Sequence, residues 1–252
     1  PALYKQYKLE KFKDGKKKRH DMRKENKIVS QAPVFEIDVT STLTPITELN
    51  TEHPAKEYLL QRKLPLEALY FTEKFQEWTN SVKPGTFEDI RQDEPRIIIP
   101  FKDKEGNTFG YQGRSLSDSG LRYITILLEE GHPKIFGLNT LDYERTIYIT
   151  EGPFDSLLIK NACAMAGADV SKNALDGCGV VYIYDNEPRN KQITSRISKH
   201  ISDGDSVVIW PSNIFQKDIN DMILAGIPVQ SIIESNTYQG LKATLKFNDW
   251  RK

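Results

Sequence analysis

After Leu141 the chain alternates short apolar runs with helix-length amphipathic stretches, and this pattern constrains its fold more than any other feature. Residues 146–150, 180–184 and 206–210 have the length and the β-branched and aromatic content of strands. The stretches from 153 to about 166, about 190 to 200, and 219 to 225 read as helices. Strands separated by helices of that length cannot be hairpin partners. They require crossover connections, which implies a mainly parallel sheet with helices on its faces.

The upstream half reads differently. Arg96–Phe101 is a strand, residues 103–107 with Gly106 make a turn, and residues 108–114 return as a second strand, so 96–116 is a predicted hairpin. Pro54 sits where a first-turn proline belongs, and Ala55, Tyr58, Leu59 and Leu60 follow at helical spacing. A second short helix is expected from 65 to about 71. Residues 1–50 read as a basic linker or arm. The expected division is thus 1–50 arm, 51–141 α+β subdomain, 142–228 α/β domain, and 229–252 a C-terminal tail suited to partner docking.

Charge sharpens this division. The chain of 252 residues has a net charge of zero, yet residues 1–30 hold eleven Lys/Arg against four Asp/Glu. That segment is therefore +7 and the remainder −7. A basic arm on an acidic body fits nucleic acid at the arm and cations at the body, and a solvated tail fits the charge alone equally well. No run of 18 apolar residues could span a bilayer, and the first thirty residues lack a secretory pattern. Cys163 and Cys178 lack disulfide or zinc spacing, so a cytoplasmic location, without membrane, is expected. The chain begins at Pro1, which suggests a trimmed start or a piece of a longer protein.

Open parallel sheets place their sites beyond the carboxyl ends of the strands. The first strand exits into Thr150-Glu151-Gly152-Pro153-Phe154-Asp155, the second into Asp185-Asn186-Glu187-Pro188-Arg189-Asn190. Shortly after the third comes Lys217-Asp218-Ile219-Asn220-Asp221. Each acid alone has an ordinary reading, as a helix cap for Glu151 and Asp218 or as loop acids for Asp185 and Glu187. Acids at three successive strand exits favour a shared site. Clustered carboxylates repel unless a cation neutralises them, and hard oxygen donors suit magnesium or manganese.

These residues resemble the Toprim family. Glu151-Gly152-Pro153-Phe154-Asp155 looks like its strand-terminal Glu-Gly motif, Asp185-Asn186-Glu187 falls where the family carries Asp-x-Asp, and Asp218 and Asp221 lie where it places further acids. Glu187 in place of the second Asp departs from the pattern, although Asp-Asn-Glu-Pro-Arg-Asn is similar to the primase subunits of T-even-type phages. Upstream, residues 55–64 are similar to the helix opening the polymerase core of bacterial primases. Residues 96–116 are similar to its hairpin, and Lys134-Ile135-Phe136-Gly137-Leu138 to the segment joining it to the Toprim fold. The resemblance covers about 51–226.

The resemblance implies a C-terminal, Rossmann-like Toprim domain with an N-terminal α+β primase subdomain. It implies a DNA-directed RNA polymerase that makes primers during phage DNA replication in the host cytoplasm. Glu151, Asp185 and Glu187 would be catalytic, and these three with Asp218 and Asp221 would hold two magnesium or manganese ions. Arg114, Arg122, Lys134, Arg189 and Lys217 would grip the single-stranded DNA template or ribonucleoside triphosphates, arginine through its bidentate fork. As surface cations on a solvated face they would need no ligand. Gly110 and Gly113 would let a ligand approach Arg114. A replicative helicase is the implied partner. The zinc module usual in such primases has no Cys/His cluster here, so no zinc site is expected. A Toprim nuclease or topoisomerase, or a non-catalytic Toprim scaffold, are the alternatives. No Walker loop is present. Trp210, ending an apolar strand, reads as core; Trp250 reads equally as partner contact or packed tail.

Overall fold

A computed structural model describes residues 39–252, apart from 91, 118–120, 130, 167–174 and 176. The described residues belong to a single compact unit built on two sheets. The basic arm of residues 1–30 lies outside them.

The first sheet is antiparallel, ordered β1 (Thr44–Pro45), β2 (Tyr70–Thr72), β3 (Arg96–Lys102), β4 (Thr108–Ser115) and β5 (Tyr123–Leu127). Its centre is the expected hairpin, with Asp103 accepting from the Asn107 backbone in the turn. Three consecutive isoleucines in β3 are fully buried because both faces are covered. Ile97 and Ile99 pack with Ala55 and Leu59 of helix α1 (Pro54–Gln61), whereas Ile98 packs with Phe75 of helix α2 (Phe75–Val82). The alternation follows from the two-residue period of a strand.

The second sheet is ordered β11 (Thr237–Tyr238), β10 (Ser206–Val208), β9 (Val180–Tyr182), β7 (Ile147–Thr150), β8 (Ala162–Met165) and β6 (Ile135–Phe136). Its four central strands run parallel and the two edge strands antiparallel. Ile147, Ile149, Tyr182 and Val207 share a core with Ile193 and Ile197 of helix α4 (Lys191–Ser202). Val181, Val208 and Trp210 pack on the other side against Ile219 and Met222 of helix α5 (Ile219–Leu224), and Val229 and Ile233 of helix α6 (Val229–Ser235). Trp210 is core, as expected.

Several expectations are corrected. The helix expected over 153–166 is a single turn, α3 (Pro153–Ser156). Asn161 then adopts a left-handed conformation at φ 52°, and Ala162–Met165 pairs with β7 and β6. Alanine, cysteine and methionine carry no strong strand signal, and two waiting ladders override their propensity. The short helix expected over 65–71 is a turn leading into β2, with Ala68 at φ 59° and Phe71 paired to Ile97. Residues 44–48, read as linker, supply an edge strand and a fully buried Ile46. Residues 229–252 are not a loose tail. They form α6, the edge strand β11 and a last helix, α7 (Gly240–Trp250), which buries Ala243 and Phe247.

Candidate active site

The strand order fixes where a site can lie. From β7 the chain moves to β8 on one side, then returns to β9 on the other, so β7 and β9 flank the switch point of the parallel sheet. Open parallel sheets bind their ligands beyond the carboxyl ends of the strands that flank such a point. Glu151 leaves β7 there and Asp185 follows β9. The Asp185 backbone N–H donates to Glu151 Oε1 at 3.3 Å.

The acids from three segments feel one another. Asp185 is pushed up to about 8 by burial first, then by the charges of Glu151, Asp155 and Asp218, with Lys217 opposing. Asp155, in the first turn of α3, is pushed up to about 7 by burial and then by Asp218, against a hydrogen bond from the Asn220 backbone. Burial also raises Glu151, while the Asp185 N–H and Arg196, 3.4 Å from its Oε2, pull it down. Asp218 has two jobs. Its Oδ1 caps α5 by accepting from Asp221 N at 2.7 Å, and its charge reaches Asp155 and Asp185. The capping reading of Asp218 is thus met by its hydrogen bond to Asp221, and its charge acts on the neighbouring acids as well. Glu187 faces Lys217 at 3.4 Å, and Glu187 before the other neighbouring acids holds the lysine charged.

The other expected residues are placed less uniformly. Asp221 is exposed on the first turn of α5 and gives its backbone N–H to the cap. Arg122, Lys134 and Arg189 are exposed. Arg114 is not an open cation. It is buried between the rings of Tyr58 and Tyr123, at 5.4 and 5.1 Å, and donates to Ser115 O and Tyr58 Oη. The neighbouring glycines do not admit a ligand either. A Cβ on Gly113 would lie 2.4 Å from the Phe75 ring, and one on Gly110 would lie 2.8 Å from Ile126 O, so both make room for the protein's own core.

Four residues beside these acids escaped the sequence reading. Asp155 stood in the quoted motif, four residues after Glu151, and that helical spacing was the available signal. Arg196 comes from α4 and nothing local marks it. Arg62 and Asn220 join α1 to α5 through Nη1 to Oδ1 at 3.2 Å and Nδ2 to the Arg62 carbonyl at 2.6 Å. Among the described residues no group of three or more His, Cys, Asp or Glu side chains is arranged to hold a metal ion.

Comparison with known proteins bears on this geometry. No family model matches the sequence. The DNA primase of Enterobacteria phage T4 is 30% identical over 262 residues, covering all of this chain and 76% of that protein. The fold is that of bacterial primase cores. The Escherichia coli primase catalytic core superposes with a TM-score of 0.59 at 16% identity, covering 84% of this chain and 81% of that one. The Aquifex aeolicus primase, with zinc-binding and RNA polymerase domains, gives 0.59 at 19% identity over 84% of this chain. This chain spans 65% of the Aquifex structure's length. A DnaG catalytic domain bound to single-stranded DNA gives 0.59 at 15% identity over 84% of this chain and 79% of that one. With the T4 similarity at 30% identity running the full length of the chain, and the fold that of primase cores, the chain belongs to the DNA primase family, the enzymes that lay down RNA primers for DNA replication.

Proposed function

We propose that the crevice beyond β7 and β9 is where ribonucleotides are joined on a single-stranded DNA template, with Glu151, Asp185, Glu187 and Asp218 holding two divalent ions, magnesium or manganese. The observation that carries this is the burial of acids from three segments within reach of one another's charge. Burial first, and then the charges of neighbouring carboxylates, push Asp185 up to about 8 and Asp155 up to about 7. Such a donor set, all hard oxygen, fits a divalent cation better than it fits the bare protein. Bound ions would neutralise the triphosphate and favour the attacking 3′-hydroxyl as oxyanion.

The chain's own groups do the rest. Glu151 is oriented by the Asp185 N–H and by Arg196, so its carboxylate stays directed at the crevice. Lys217, exposed beside Glu187, is placed to meet a phosphate oxygen and to balance the acids when the crevice is empty. Arg122, Lys134 and Arg189 remain candidates for template or triphosphate. Arg114 is reassigned to holding Tyr58 and Tyr123 in place. We assign Asp221 to the α5 cap instead of the ion-holding set. Docking of a helicase, expected on 229–252, narrows to the outward face of α7, where Leu241 and Leu245 are 75% and 59% exposed.

The test is elongation of a pre-annealed primer with labelled ribonucleotides, magnesium and single-stranded template. Asp185→Asn should lower the rate by about 10²–10³-fold, the usual scale for a group acting on developing charge. Undiminished elongation by this variant refutes the assignment, and template degradation without synthesis would point to a nuclease.

A further inference from the structure

Asn186, between the two acids of the second motif, uses every polar atom of its side chain on neighbouring segments. Its Nδ2 donates to the carbonyls of Ile214 and Gln216 at 2.9 and 3.1 Å. Its backbone N–H donates to the carbonyl of Lys217 at 2.7 Å. Its Oδ1 accepts from Trp250 Nε1, at the last residue of α7, at 2.9 Å. Asn186 thus ties the segment of Asp185 and Glu187 to the segment of Lys217 and Asp218, and Trp250 orients the tie. The indole cannot readily swing away, because it packs on Phe247 and touches the cores on both faces of the sheet.

We propose that Trp250 is a positioning residue for the active site, acting through Asn186 to hold the 185–187 and 217–218 segments in register. An asparagine amide has two ends that look alike in shape but differ in hydrogen bonding. With Oδ1 fixed by an indole N–H, which can only donate, the NH2 end must face Ile214 and Gln216. Remove the indole donor and the amide, still held by the two carbonyls, loses one of its three side-chain hydrogen bonds and its tie to α7. The loop carrying Lys217 and Asp218 then keeps its backbone bond to Asn186 but loses a rigid anchor. The C-terminal helix is in this way tied to the segments that carry the acids. The inference rests on the reading of those acids as the ion-holding set.

Trp250→Phe keeps an aromatic ring, smaller than the indole, and deletes the donor. Ile233→Val, a trimmed core residue on α6, controls for lost stability. Two readouts on the full chain separate the issues. Amide hydrogen exchange in metal-free protein should rise about 5- to 10-fold at Asn186 and over 214–218 in Trp250→Phe, the effect of one lost neutral hydrogen bond, with β7 unchanged. Mn2+ binding, followed by electron paramagnetic resonance without nucleotide, should weaken by a similar factor. Ile233→Val should change neither locally. Asn186→Ser should reproduce both effects, and adding Trp250→Phe to it should change little more, because the two residues act as one unit. Unchanged exchange in Trp250→Phe overturns the clamp, and faster exchange with parental Mn2+ affinity overturns its role in positioning. If the parent itself fails to bind Mn2+, the ion-holding reading falls instead, while the exchange result still decides the clamp.

Discussion

Replacing Asp185 by asparagine should make the metal-free protein more stable at pH 8 while disabling it as an enzyme. Burial, and then the charges of Glu151, Asp155 and Asp218, push Asp185 up to about 8 in the folded chain, against 3.8 for a free aspartate. The folded state therefore binds this proton more tightly than the unfolded state does. Its favourable contribution is complete below the unfolded value and is lost as pH rises from about 4 toward 8. A shift of about four units corresponds at most to about 5 kcal/mol at 1.36 kcal/mol per unit. Water reaches this carboxyl, which is only partly buried, and screening leaves on the order of 2 kcal/mol. For a chain of this length that is roughly 4–8 °C in melting temperature. Melting without divalent ions at pH 8 and pH 5 checks it. Asp185→Asn should melt higher at pH 8, and its advantage should shrink at pH 5, where the parent's carboxyl is already protonated. Magnesium should then raise the parent's melting temperature at pH 8 more than the variant's. A variant less stable than the parent at pH 8 without metal, or a difference independent of pH, would refute the account of a carboxyl raised by burial and by neighbouring acids.

Gly113→Ala should cost about 1–3 kcal/mol in denaturant melts, because the added methyl meets the buried Phe75 ring at 2.4 Å. Asn220→Ala removes both hydrogen bonds to Arg62 from a residue 3% exposed. It should destabilise by about 1–3 kcal/mol, and an unchanged denaturation midpoint would remove this residue from the list of ties between α1 and α5. Lys217→Ala should barely alter melting, by less than about 0.5 kcal/mol, since its ion pair with Glu187 is solvent-exposed. The same variant should raise KM for ribonucleotides about tenfold, and an unchanged KM would remove it from phosphate binding.

The sequence alone determined the parallel sheet, the central hairpin and the acids at strand exits, because each is written locally. Strand periodicity, crossover length and a charged residue after an apolar run are all readable over ten or so positions. What it could not convey depended on partners far along the chain. Ala162–Met165 has little strand propensity and became a strand because β7 and β6 offered ladders on both sides. Gly113 looked like space for a ligand until Phe75, 38 residues earlier, filled it. Arg114 looked like a free cation until Tyr58 and Tyr123 enclosed it. Asp155 became a member of the acidic group only when α5 brought Asp218 near it. Trp250, equally a tail or a contact by sequence, acquired its role from a single hydrogen bond across 64 residues. Local pattern specifies which backbone a segment can adopt and which charges it carries. Burial, the direction of a side chain and the neighbour that meets it are fixed only when distant segments pack, since those are properties of pairs of segments.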